Sequence, residues 1–171
     1  VIGMEPAVKP ATAATKNGVV GVLATTGTLE SASFAALLDQ FGKNVRVLTR
    51  PGTGLVEAVE RGEQGSARLF SLLESHLAPL LAGGADVIVL GCTHYVFLRE
   101  QVEAIAGPGV QVIDTGAAVA AQLQRKLSAC AMLASPHAGS EQFWASGELA
   151  VVEHALGVLW PGFSGGKPLP P

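Results

Sequence analysis

Apolar residues along the chain fall into two rhythms that alternate. Short β-branched runs at 18–24, 45–48, 86–90 and 110–113 have the form of strands buried on both faces. Between them the apolar positions recur at three- and four-residue spacing, which predicts helices over 31–41, 55–61, 66–81, 97–106 and 117–127. In 66–81 the stripe is Leu69, Leu72, Leu73, Leu77 and Leu80, and Gly83-Gly84 stops it. Thr25-Thr26-Gly27-Thr28 reads as a turn whose threonines cap the next helix, and Arg50-Pro51-Gly52-Thr53-Gly54 as a chain break. Strands separated by helices give the fold class: α/β, an open parallel sheet with flanking helices.

Strand, polar loop and helix recur in that order, and in open α/β sheets such loops gather at the carboxyl ends of the strands, where ligands bind. The loops 25–28, 92–94 and 114–116 are therefore expected to share one rim. Composition changes after about Leu127. An Ala, Ser, Pro and Gly stretch leads to an extended piece at 142–146 and a helix at 149–159, and the end, 164–171, has nothing to bury and is expected to be disordered. The opening Val1-Ile2-Gly3-Met4-Glu5-Pro6 reads as strand and loop, with no basic n-region of a signal peptide, and as a truncated start.

With 171 residues, 49% hydrophobic and 15% charged, the chain suits one globular domain, or one domain plus a segment that packs elsewhere. Its net charge is −3 and its Lys and Arg are scattered singly, so no basic patch is offered to a phosphate backbone and nucleic acid is not an expected partner. Every apolar run falls short of the roughly 20 residues that cross a bilayer, which predicts no membrane span; the opening without a signal-peptide n-region gives the expectation of a cytoplasmic protein. The two cysteines, Cys92 and Cys130, are too few for a disulfide framework and form no CxxC pair for a metal. Cys130 lies among small apolar residues and is expected to be a buried apolar side chain.

Cys92 stands differently. Cys92-Thr93-His94 follows the most hydrophobic strand directly, placing a thiol at an open sheet edge near the start of a helix, with an imidazole two residues on to share its proton. Two readings stand at this point: a reactive thiol with a histidine partner, or a small buried side chain beside a capping or surface histidine.

Leu90-Gly91-Cys92-Thr93-His94-Tyr95 does not occur alone. It comes in register with Glu5-Pro6, with Val22-Leu23-Ala24-Thr25-Thr26-Gly27-Thr28, with Gly54-Leu55-Val56-Glu57-Ala58-Val59-Glu60-Arg61-Gly62, and with Ile113-Asp114-Thr115-Gly116. In order and spacing the set resembles the glutamate racemases and, more loosely, the aspartate/glutamate racemases; the match resumes at Phe143-Trp144-Ala145-Ser146-Gly147. The resemblance implies an isomerase that converts L-glutamate to D-glutamate for peptidoglycan, and so for cell-wall biogenesis and cell shape. One cysteine thiolate takes the α-proton from one face, and a second cysteine returns a proton to the other. Two bases are needed because a group on one face of a planar carbanion can restore the proton only to that face.

Cys92 matches the second cysteine of that pair; the Cys-Asn-Thr motif of the first is not in this chain, so the chain alone is expected to be inactive. By the same resemblance Thr93 and His94 contact substrate, His94 assists proton transfer at Cys92, and Thr25 and Thr28 bind the substrate carboxylate or amine while also serving as turn and cap residues. Glu60 is an auxiliary of the histidine, or else a solvated charge beside Glu57 and Arg61. Asp114 is expected to cap the helix from Ala117. Where the family commonly has an aromatic residue and then Pro, here Tyr95 is followed by Val96. No cofactor is implied: Lys9, Lys16, Lys43, Lys126 and Lys167 all stand in loop-like or solvated contexts rather than in a Schiff-base setting. No metal is expected either.

The resemblance also divides the chain. Residues 1–115 would be the second of two similar α/β domains of a pseudo-symmetric racemase, 116–163 a returning segment that completes the first, and 164–171 the tail. The longer enzyme is expected to be a homodimer. The alternatives are a non-catalytic remnant or binding module of the same fold, and an aspartate racemase-like enzyme.

Overall fold

The computed structural model describes residues 2–134 and 139–170. Val1 of the expected opening strand and loop, 135–138 of the small-residue stretch and Pro171 of the expected tail lie outside the described residues.

Four strands, β1 (Val19–Ala24), β2 (Arg46–Pro51), β3 (Val87–Leu90) and β4 (Gln111–Ile113), pair in parallel in the order β2-β1-β3-β4. Their side chains divide by the two-residue period of a strand. Leu23, Ile88, Leu90 and Val112 face one side, where they meet α4 (Leu55–Glu60), α5 (Ala67–Ala82), a 3-10 helix (Thr93–Leu98) and α6 (Arg99–Ala106). Val20, Val22, Ala24, Val87 and Val89 face the other, under α1 (Val8–Ala14) and α3 (Ala32–Phe41). Both faces of the sheet are covered, which is why β3 is apolar at every position and wholly buried. Ser31 and Ser66 cap α3 and α5, accepting from Phe34 N and Leu69 N at 3.1 Å each.

The alternation of strand and helix thus gives the expected parallel α/β sheet. Several details differ from the expectation. Helix α1 is an additional element, formed just after the Glu5-Pro6 motif, and it covers the sheet with Val8 and Ala11. β2 does not stop at Leu48 but continues through Arg50 to Pro51, because β1 offers it a partner along its whole length and an edge strand tolerates proline. Between Cys92 and α6 the chain is not one helix from 97 but a 3-10 helix followed by a short α-helix.

Beyond the sheet come α7 (Gly116–Ala129), β5 (Phe143–Ala145), α8 (Leu149–Leu159) and β6 (Gly166–Pro168). Neither α7 nor α8 has a buried residue. Cys130, expected inside, is exposed, because it ends a helix that no further layer covers. Nor is the end of the chain without structure: β6 pairs in parallel with β5, Gly166 N donates to Glu153 Oε1 at 3.1 Å, and Lys167 Nζ lies 5.4 Å from the Trp144 ring centre. The ordering comes from partners some twenty positions upstream, which local composition does not reveal. Among the described residues, no helix is long and apolar enough to cross a membrane.

Candidate active site

The strand order fixes where a ligand can enter. From β1 the chain goes outward to β2, then returns across the sheet to β3 on the other side of β1. The loops leaving β1 and β3 therefore diverge, and the crevice between them at the carboxyl ends is the place where open α/β sheets bind ligands. A cavity of about 230 Å3 lies there, lined by Glu5, Pro6, Thr28, Cys92, Thr93 and Thr115 among others. The three expected loops do share one rim. Its volume is below the roughly 300–1,000 Å3 of a complete small-molecule pocket, and a second wall would be needed to enclose a ligand.

Thr25 caps α2 (Thr26–Leu29): its Oγ1 accepts from Thr28 N at 3.2 Å and lies 2.8 Å from Thr28 Oγ1. Thr28 reaches the cavity, and Thr25 supports it from behind. Cys92 is half-buried at the end of β3. Its Sγ lies 3.9 Å from His94 Nδ1, and Thr93 Oγ1 lies 3.5 Å from the same nitrogen. On the far side of the ring, Glu60 Oε1 is 3.3 Å from His94 Nε2. A carboxylate there favours the proton on Nε2, which leaves the Nδ1 lone pair turned to the thiol. Thiol, imidazole and carboxylate thus form a line along which a proton can leave Cys92.

The side chains of His94 and Glu60 are 35% and 60% exposed. A pair so open to water contributes only about 0–1 kcal/mol. The solvated reading of Glu60 and its pairing with the histidine therefore describe one placement.

Three residues near the site escaped the sequence reading. Tyr95, next to His94, is buried and donates its hydroxyl to Gly52 O at 3.0 Å. Burial pushes its phenol well above the usual range, with smaller contributions from the negative charges of Cys92 and Glu57. Arg99 donates to Asp114 Oδ2 from both Nε and Nη2, and to Val112 O. Burial alone would raise the Asp114 carboxyl, but the Arg99 guanidinium and the Gly116 amide outweigh it and hold it below the usual carboxylate range. Asp114 does accept from the amide of Gly116, at 2.7 Å, so it satisfies the first turn of α7 while anchored to α6. Thr115 forms cavity wall. Thr115 has a signal in the sequence, its place in the third loop, and Tyr95 has one in its place at the end of the Cys92 motif, though neither place assigns a role; Arg99 has none. Among the described residues, no three His, Cys, Asp or Glu side chains gather as a metal site, and all five lysines named above are exposed.

Residues 1–123 match the family described as Asp/Glu/hydantoin racemase. Over 160 residues, 94% of this chain, the sequence is 56% identical to a glutamate racemase of Pseudomonas putida strain W619 and 53% identical to one of Pseudomonas paraeruginosa strain PA7. The chain spans 60% of the length of each of these relatives. A glutamate racemase of Escherichia coli, solved with L-glutamate and the activator UDP-MurNAc-Ala, superposes with a TM-score of 0.82 at 29% identity, covering 98% of this chain and 64% of that one. An isoform from Bacillus anthracis gives 0.79 at 26%, over 94% and 60%. The chain belongs to the Asp/Glu/hydantoin racemase family, and within it resembles the glutamate racemases.

Proposed function

We propose that this chain forms half of a glutamate racemase site, in which Cys92 removes or returns the α-proton on one face of glutamate. The observation that carries the reading is the line from Cys92 Sγ through His94 to Glu60 at the edge of the cavity between β1 and β3. His94 accepts the thiol proton at Nδ1 and Glu60 steadies the ring; the thiolate takes the α-proton, and the protonated form returns it in the reverse direction. Thr28, Thr93 and Thr115 offer hydroxyls to the carboxylates and ammonium of the amino acid. No cofactor is invoked.

The second base belongs, on this reading, to a part of a longer protein that residues 116–163 help to build. The uncovered helices α7 and α8 and the small open cavity agree with that. Such an enzyme would act in the cytoplasm to supply D-glutamate for peptidoglycan, and the chain alone would turn over little or nothing.

A chimaera tests this. The N-terminal part of the Pseudomonas putida relative joined to this chain should interconvert L- and D-glutamate, with aspartate a poor substrate. Cys92→Ser in the chimaera should lower racemisation by on the order of 10²-fold or more. It should also leave α-proton exchange with deuterated water in one enantiomer only. Racemisation by the substituted chimaera at the unsubstituted rate, or equal exchange of both enantiomers, would overturn the assignment.

A further inference from the structure

Glu60 and His94 lie on separate elements, α4 and the 3-10 helix, and their contact is open to water. So exposed a pair does not hold two helices at a fixed distance, and the order must come from the buried contacts of the two elements. At the opposite end of α4 from Glu60 is the 52–54 connection, which leads into the helix from β2. It is gripped at two consecutive carbonyls. Tyr95, the neighbour of His94, donates its hydroxyl to Gly52 O at 3.0 Å. His76, buried on α5, lies with Nε2 3.0 Å from Thr53 O, and its Nδ1 accepts from Arg50 Nε at 3.4 Å. With Nδ1 accepting, Nε2 carries the proton that Thr53 O receives.

The fit requires glycine: a Cβ at Gly52 would come within 2.5 Å of the Tyr95 hydroxyl oxygen and 2.8 Å of Leu55 Cδ1. Gly54, at φ +84°, then turns the chain into α4. One buried phenol thus joins the start of the Glu60 helix to the residue after His94, and one buried imidazole ties the same connection to α5 and β2.

We propose that Tyr95 and His76 are positioning residues that clamp the 52–54 connection, hold Glu60 against His94, and so keep the His94 tautomer that can receive the Cys92 proton. The proposal rests on the reading of Cys92 and His94 as a proton-transfer pair. Neither Tyr95 nor His76 touches the reacting atoms; each acts through α4 and the 3-10 helix.

The test uses the whole chain labelled with 15N-histidine. Ring-nitrogen shifts report the His94 tautomer, and the ratio of iodoacetamide alkylation at Cys92 to that at the exposed Cys130 reports proton transfer. Glu60→Gln should move His94 from the Nε2–H towards the Nδ1–H tautomer and lower the ratio. Tyr95→Phe should do the same, with a fall on the order of tenfold, less than the roughly 10²–10⁴-fold that a positioned base contributes, because the base is displaced and not removed. His76→Leu should follow, while His76→Gln, which keeps one donor and one acceptor, should restore both readouts. In the Glu60→Gln background Tyr95→Phe should add nothing, because the two act on one contact. Should His76→Leu fail to fold, Tyr95→Phe and His76→Gln still decide the matter. A folded Tyr95→Phe variant that leaves tautomer and ratio unchanged, while Glu60→Gln changes both, overturns the clamp and spares the proton-transfer reading. If Glu60→Gln and His94→Asn leave Cys92 reacting as before, the reading beneath the clamp falls with it.

Discussion

Strand β3 and helix α8 are both built almost wholly of apolar residues, yet β3 is buried at every position and α8 at none. The difference lies in what surrounds them. β3 has a strand on each side and a helical layer on each face. α8 leans on α4 near Gly62, where Val158 and His154 approach, and leaves Val151 and Val158 more than half exposed. Around it gather Phe143, Trp160 and Phe163, with ring centres 5.1–5.7 Å apart, a cluster too small to cover it. Apolar sequence supplies the capacity for burial, and the neighbouring layers decide whether it is used.

The contrast has its largest expression in core substitutions. Leu77→Ala on α5, at a fully buried site, should cost about 2–5 kcal/mol by urea denaturation, from lost transfer energy and the cavity left behind. Leu123→Ala on α7, 48% exposed, should change stability by less than about 0.5 kcal/mol. Equal costs at the two sites would mean that α7 is covered in solution.

A smaller effect belongs to the amino end of the sheet. Asp86, just before β3, accepts from Thr15 Oγ1 and from the amides of Lys16 and Asn17, tying the approach to β1 onto β3. Partial burial alone would raise its carboxyl, but these donors prevail and hold it below the usual range. A depressed folded value means that the stabilisation is present above the unfolded value of about 3.9 and is lost as the pH falls through the folded one. Asp86→Ala should therefore cost about 1–3 kcal/mol near neutrality, and the gap to the unsubstituted chain should close as the pH is lowered below about 4. A gap that stays constant down to pH 2 would show that the charge contributes nothing.

Much of the sheet half is legible in the sequence because its signals are local. The apolar runs become strands, the Leu stripe of 66–81 becomes the buried face of α5, and Ser31 and Ser66 stand where caps are required. The rim follows from strand order together with loop chemistry, which is why Thr28, Cys92 and Thr93 meet in one cavity. What stays hidden is tertiary. Nothing near Tyr95 in sequence announces Gly52, 43 positions away, and nothing near Arg99 announces Asp114. Cys130 and β6 mislead in opposite directions for the same reason: small apolar neighbours suggested burial where no layer exists, and a Gly-Pro composition suggested disorder where β5 and α8 supply partners.

The thiols sharpen the comparison further, one standing in each region. Accessibility favours Cys130, and the imidazole 3.9 Å away favours Cys92. If the imidazole dominates, Cys92 should be alkylated severalfold faster than Cys130 in the folded chain, and the two rates should converge in urea. Peptide mapping after competitive labelling measures both. A native ratio below one would mean that exposure alone sets the rates and that His94 takes no proton from Cys92.

The smallest effect comes from taking the two regions apart spectroscopically. Both tryptophans, Trp144 and Trp160, lie beyond the sheet, whereas the chain's single tyrosine, Tyr95, lies in its core. Tryptophan emission thus follows the C-terminal segment, and helix ellipticity chiefly follows the sheet half with its flanking helices. A two-stranded pair such as β5-β6 is marginal without a covering layer, so its loss need not carry the sheet with it. In a urea titration the tryptophan signal should change at lower denaturant than the ellipticity, a departure from two-state behaviour. Removing residues 166–171 takes away β6 and the Lys167 contact with Trp144. That truncation should shift the tryptophan transition lower still and leave the main midpoint in place, a change in core stability below about 0.5 kcal/mol. Coincident transitions, or a main midpoint that falls with the truncation, would show that the C-terminal segment and the sheet unfold as one unit, and that α8 is held to α4 more firmly than its exposure implies.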